Sequence, residues 1–163
     1  MTQTLWRPFE HGDAPALACL FRDAVMQFAA ADYAMAARAA WAAAAEDSIA
    51  FGARLARGVT LVALQDGTCA AFGQLYPASH VEMLYVAPRC ARQGLAAALL
   101  ARLEGAARAA GATTLTADVS LCAVRAFAQA GFHVSGEETV ERNGVSLTRL
   151  RMQKPLGALP VQT

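Results

Sequence analysis

The chain predicts an α+β fold built on a mixed, mostly antiparallel sheet, and three features carry that prediction. Apolar residues recur at helical spacing through the first third of the chain, switch to a period of two from Val59, and return to helical spacing after Gly94. Two hairpin dipeptides, Asp66-Gly67 and Asn143-Gly144, join strand-like runs that must then lie side by side. A helix separates HVEMLYV (80–86) from TTLTADV (113–119), and two strands so joined favour a parallel pair with a right-handed crossover.

Taken in order, TLWRPF (4–9) reads as the first strand. Asp13 is placed to cap a helix running to about Phe28, with Leu17, Leu20, Phe21, Ala24 and Phe28 on one face. A second, alanine-rich helix covers 34–45, and Asp47 or Ser48 caps a short helix that ends near Gly58. VTLVAL and TCAAFGQLYP form a hairpin about Asp66-Gly67, because both residues tolerate the positive φ of a type I′ turn. HVEMLYV adds the third strand of this meander and Pro88 ends it. The helix over 94–110 buries Leu95, Leu99, Leu103 and Ala107, turns Arg102 and Arg108 to water, and stops at Gly111. A strand, a short helix over 121–130, and a last hairpin of FHVSGEETVE and VSLTRLRM complete the chain. VSLTRLRM is expected to be an exposed edge that Arg149 and Arg151 guard if it stays unpaired.

At 163 residues the chain has the length of one ordinary domain, so residues 1–163 are read as a single unit. No segment approaches the roughly 20 unbroken apolar residues of a membrane span, and the net charge of +1 gives no general attraction to nucleic acid or anionic membrane. Neither partner is expected. The opening MTQTLWRPFEHGD lacks a basic stretch followed by an apolar core, which predicts a cytoplasmic protein. Cys19, Cys69, Cys90 and Cys122 are scattered, as are His11, His80 and His133, so reduced thiols and no metal site are expected.

The most informative stretch is YVAPRCARQGLAAALLARLE (85–104), a strand, an arginine-bearing turn, a glycine and a long helix. A helix N-terminus leaves N–H groups without partners and carries partial positive charge, so it can receive a phosphate or pyrophosphate. Gly94 has no Cβ to block the approach to the main chain from Arg92 to Ala96, although a glycine before a helix also serves as a cap alone. A dinucleotide fingerprint is a much weaker reading, because the second and third glycines are missing and the unit follows a meander.

YVAPRCARQGLAAALL resembles the cofactor-binding segment of the GNAT acyltransferases, in which a strand often ending V-x-P runs into R/Q-x-x-G-x-G/A at a helix start. The resemblance extends over nearly the whole chain and its element order, and SLCAVRAFAQAGF, ERNGV and RMQK are most similar to the bacterial YafP-like subgroup. It implies a layered α/β/α arrangement with six to seven strands and a splayed parallel pair that holds acetyl-CoA. The N–H groups of Arg92, Gln93, Gly94, Leu95 and Ala96 would cradle the pyrophosphate, and the main chain of Leu84, Tyr85 and Val86 would line the pantetheine arm. Ala91 replaces the arginine or glutamine usual at the first motif position, and Arg89 or Arg92 is expected to supply the missing charge.

The same resemblance implies transfer of an acetyl group to the amine of a small molecule by direct attack, without an acyl-enzyme. Strand alternation places His80, Glu82, Leu84 and Val86 on one face. By resemblance that face looks into the acceptor site, with Glu82 as the first choice of base and His80 as the second; pairing of Glu82 with an arginine is the alternative. Phe127 stands where many members carry a tyrosine that protonates the departing sulfur, and Ser120 stands where an asparagine is usual. In AADYAMAARAAW, Asp32, Tyr33 and Trp41 fall in the region that forms part of the acceptor pocket, where aromatic rings supply apolar walls or fill core. An acetyl-CoA-binding sensor with little turnover and a peptide or protein N-acetyltransferase are the alternatives, and a homodimer through the last strands is implied by resemblance.

Overall fold

A computed structural model of the protein describes residues 3–157. Strand β1 (Thr4–Pro8) leads into helices α1 (Ala14–Phe28), α2 (Met35–Ala42) and α3 (Ser48–Leu55), then the meander β2 (Val59–Gln65), β3 (Thr68–Leu75) and β4 (His80–Val86). Helix α4 (Leu95–Ala109) crosses to β5 (Thr114–Ser120), and α5 (Val124–Gln129) precedes the long hairpin β6 (His133–Arg142) and β7 (Val145–Pro155). The seven strands form one sheet ordered β1-β2-β3-β4-β5-β7-β6. Every neighbouring pair is antiparallel except β4 and β5, which are parallel. The α+β class and the mostly antiparallel sheet therefore hold.

The helices cover both faces. On one, the Gln74 amide of β3 donates to the carbonyls of Arg54 and Arg57 at the end of α3, at 2.6 and 2.8 Å. On the other, a Cβ at Gly73 would press on Leu103 of α4. Phe51, Phe72 and Leu17 are fully buried in one apolar cluster, and Leu103, Leu115 and Met152 in a second. Gly58, at φ +62°, must be glycine, since a Cβ there would collide with the Leu75 carbonyl oxygen.

Two local expectations are corrected. Asp13 does not cap α1: its carboxylate accepts from Arg7 at 2.7 and 2.8 Å and from the Glu10 N–H at 2.9 Å, which closes the turn before the helix. Strand β7 is not an edge, because β6 folds back outside it and leaves β1 and β6 at the rims. Arg149 and Arg151 accordingly guard no edge and pair with Glu138 of β6 instead. By contrast, Asp47 caps α3 as its position suggests, accepting from the N–H groups of Ile49 and Ala50.

Candidate active site

A parallel pair that fails to stay paired creates the site. Strands β4 and β5 share only two register pairs, His80 with Thr116 and Val81 with Ala117, and then separate. The cause lies on the other side of β4, where Leu75 faces Val81 and Gln74 faces Met83, leaving Glu82 as an extra residue. Such a bulge bends its strand and re-aims a side chain. Here it also breaks the expected alternation, since cross-strand partners share a face: Val81 follows Leu75 towards α4, whereas Met83 follows Gln74 towards α3. Leu84, which a Cβ on Gly73 would touch beside Leu103, faces α4 and does not share a face with His80 as alternation predicts.

The cleft opened by this divergence is lined by Glu82, Met83, Leu84 and Tyr85 on β4 and by Asp118, Val119 and Ser120 on β5. Phe127 lines it too, buried and set edge-to-face on Phe132 at 5.0 Å. The Tyr85 ring packs against Phe21 and Phe72, with centroids 4.6 and 5.6 Å away. Desolvation pushes its hydroxyl far above the ordinary tyrosine range.

A chain of charges crosses the mouth of the cleft. Glu82, about one-third exposed, lies 3.8 Å from Arg54 and 3.8 Å from His80 Nε2. The same imidazole nitrogen is 3.4 Å from Asp118, and Nδ1 is 2.8 Å from the Thr116 hydroxyl. Arg149 then joins Asp118, at 3.5 Å, to Glu138. Its two arginine partners hold the Glu138 carboxyl below the usual range. His80 and Glu82 are thus brought together, along with Asp118, Thr116, Arg149 and Glu138, which the sequence reading did not assign to the site. The period of two in TLTADVS puts Thr116 and Asp118 on one face, but only the strand order shows which neighbours they meet.

At the mouth of α4 the chain turns through two left-handed residues, Arg92 at φ +62° and Gly94 at φ +77°. The N–H groups from Arg92 to Ala97 donate to no protein acceptor among the described residues, and a Cβ at Gly94 would meet only open space. These donors and the helix dipole suit an anion. Arg89 is committed elsewhere, donating to the Cys69 carbonyl at 2.7 Å and to Cys90 Sγ at 3.1 Å. The Gln93 side chain accepts from Gln65 at 2.8 Å. Arg92 makes no ion pair or side-chain hydrogen bond among the described residues. Ala91 has only its methyl group to offer.

Tyr33 and Trp41 line the opposite wall, their rings 5.6 Å apart, with Trp41 6.4 Å from Tyr85. The Tyr33 hydroxyl is spent on structure: it donates to the Thr148 carbonyl at 2.6 Å and accepts from the Leu121 N–H at 2.9 Å. Burial pushes this hydroxyl up, so it stays neutral. Asp32 is exposed, lies outside the cleft lining, and forms no ion pair among the described residues. Ser120 Oγ lies 3.2 Å from Cys122 Sγ.

Comparison with known proteins accounts for this arrangement. An acetyltransferase (GNAT) domain model matches residues 29–154. A Rhodopseudomonas palustris structure described as a GCN5-related N-acetyltransferase, aminotransferase class-II, is 36% identical and superposes with a TM-score of 0.92, covering 96% of this chain and 98% of that one. Two more distant structures share the fold. The PaiA N-acetyltransferase of Thermoplasma acidophilum, in complex with coenzyme A, is 17% identical with a TM-score of 0.75, over 94% of this chain and 99% of that one. The yncA protein of Salmonella typhimurium, with its cofactor acetyl-CoA, is 21% identical with a TM-score of 0.64, over 99% and 98%. No curated protein gives a match. The splayed β4–β5 pair, the open helix mouth behind it and the domain match over most of the chain lead to one conclusion: this protein belongs to the GNAT family of N-acetyltransferases.

Proposed function

We propose that the protein transfers the acetyl group of acetyl-CoA to the primary amine of a small molecule by direct attack, with Glu82 as the base. The observation that carries this reading is the placement of an accessible carboxylate at the bulge where β4 leaves β5, at the lip of the cleft, on the strand that runs on to the anion-ready mouth of α4. The residues present fit coenzyme A: unpaired N–H groups from Arg92 to Ala97 suit its pyrophosphate, and the strand groups freed beyond Val81 suit an extended amide chain. The coenzyme A and acetyl-CoA held by the two distant fold relatives support the same assignment. When bound, acetyl-CoA supplies the activated acyl carbon.

Glu82 takes the proton that the acceptor ammonium must lose before nitrogen can attack. His80, its Nδ1 tied to Thr116, keeps Nε2 facing both Glu82 and Asp118 and gives that proton a path outward. Arg54 and Arg149 hold the two carboxylates in place. Phe127 has no proton to give, so the proton for the departing sulfur comes through the Ser120 hydroxyl or water at the cleft. A phenylalanine here agrees with the YafP-like resemblance. It also favours a second reading, an acetyl-CoA sensor that binds without turnover.

Release of free coenzyme A thiol, followed over a panel of amines beside a calorimetric titration of acetyl-CoA, separates the two. Glu82→Gln should lower kcat/KM by about a hundredfold, the lower end of the range for a general base, with a steeper loss at lower pH where more acceptor is protonated. An unchanged rate overturns Glu82 as base. Binding without turnover across the panel favours the sensor.

A further inference from the structure

Resting on the transfer reading above, the geometry points to a class of acceptor: an amine that carries a carboxylate at the far end of an apolar spacer, with Arg142 as the group that receives the carboxylate. The hairpin β6–β7 walls the acceptor side of the cleft, and its register runs without interruption from Glu138 opposite Arg149 to Arg142 opposite Val145. Residues two apart on a strand share a face, so Glu138, Val140 and Arg142 stand at three successive levels of one face of β6, and Val140 and Arg142 line the cleft. The first level is a saturated ion pair, with both arginines on Glu138. At the second level, Val140 and Leu147 pack with Tyr33 and Trp41 in an apolar belt. At the third, Arg142 donates only to the carbonyl of the adjacent Glu141 and has no carboxylate partner among the described residues.

The charges at the mouth otherwise balance, since Arg54 meets Glu82 and Arg149 and Arg151 meet Asp118 and Glu138. Of the arginines named here, Arg142 alone has no carboxylate partner among the described residues. An acceptor whose amine reaches Glu82 therefore passes the apolar belt and ends beside a free guanidinium, which attracts a carboxylate and repels a second ammonium. Val140 and its belt lie between the ion-paired level and Arg142, so an apolar spacer must join the two ends of the acceptor, and glycine has only a single methylene to offer.

The test compares ω-amino carboxylates from glycine to 8-aminooctanoate with n-alkylamines of matched length, in thiol release and in calorimetric binding to the coenzyme A-bound protein. For the longer members the carboxylate should lower both KM and Kd by about fivefold, the scale of one exposed ion pair, and glycine should gain nothing. Arg142→Ala should erase that difference and Arg142→Lys should keep part of it. Equal KM and Kd for the two series, or a preference that survives Arg142→Ala, overturns the inference. Turnover of both series without preference leaves the transfer reading standing while this one falls. If neither series turns over, the transfer reading fails for small amines and the binding comparison alone decides the role of Arg142.

Discussion

Replacing Gly94 with alanine asks whether the helix mouth is built by conformation or by space. The residue sits at φ +77°, and a Cβ added there would find no atom within 4 Å, so collision contributes nothing. What remains is the cost of holding a residue with a Cβ in the left-handed region, about 1–2 kcal/mol. For a domain of this size that is a fall in Tm of roughly 2–8 °C, readable by calorimetry without any ligand. If the chain escapes the strain by rotating the turn, the N–H groups of Leu95 and Ala96 leave their common aim. Affinity for coenzyme A should then drop by about tenfold for each 1.4 kcal/mol lost. Gly94→Asn supplies the control, because asparagine accepts this conformation more readily than alanine and should restore much of both quantities. An alanine variant with the parental Tm and the parental coenzyme A affinity would refute the account, since it would mean that neither the left-handed turn nor the N–H groups behind it matters.

Two further predictions concern groups whose burial fixes their protonation or pairing. Tyr33→Phe should lower stability by about 1–3 kcal/mol, because it strands the Leu121 N–H and the Thr148 carbonyl that the hydroxyl now joins; a urea midpoint equal to the parent's would show those bonds to be idle. Asp13 is held below its ordinary pKa, first by its hydrogen bonds to Arg7 and then, against the cost of burial, by the Glu10 N–H and the charge of Arg7. Its folded pKa is the lower one, so the stability it contributes is complete above the unfolded value near 4 and is lost as pH falls through the folded one. Asp13→Asn should cost roughly 2 kcal/mol at pH 7 and much less near pH 2; a gap between parent and variant that stays constant across that range would contradict the pairing.

Much of the fold could be read from local chemistry because its signals are local. Asp66, Gly67, Asn143 and Gly144 all adopt the positive φ that their hairpin dipeptides announce, Asp47 caps α3, and the helical spacing of Leu95, Leu99 and Leu103 buries those residues. What stayed hidden depends on neighbours distant in sequence. The place of β7 inside the sheet follows from β6 folding back beyond it, which no pattern within VSLTRLRM encodes. Arg89 could not be told from Arg92 as a candidate for the phosphate, because only the approach of Cys69 from the β2–β3 hairpin takes one of them away. Asp13 misled for a local reason: Arg7, six residues earlier on β1, and the Glu10 N–H take its carboxylate before it can cap α1.

The candidate site turns on a single residue of register. Removing the bulge would realign Gln74 and Leu75 with consecutive partners on β4 and return Glu82 to an ordinary place in the ladder. Every side chain beyond it would then change face, as a slip of one residue requires. Leu84 would lose its seat beside Leu103, and Tyr85 would leave the ring cluster of Phe21 and Phe72. The buried aromatic cluster on one face and the Gly73–Leu84–Leu103 contact on the other therefore hold the bulge in place, and the bulge in turn drives β4 from β5 and sets Glu82 at the opening. Core packing and the candidate chemistry are thereby coupled through β4, which explains why the carboxylate and the unpaired strand groups occur at the same point of the sheet.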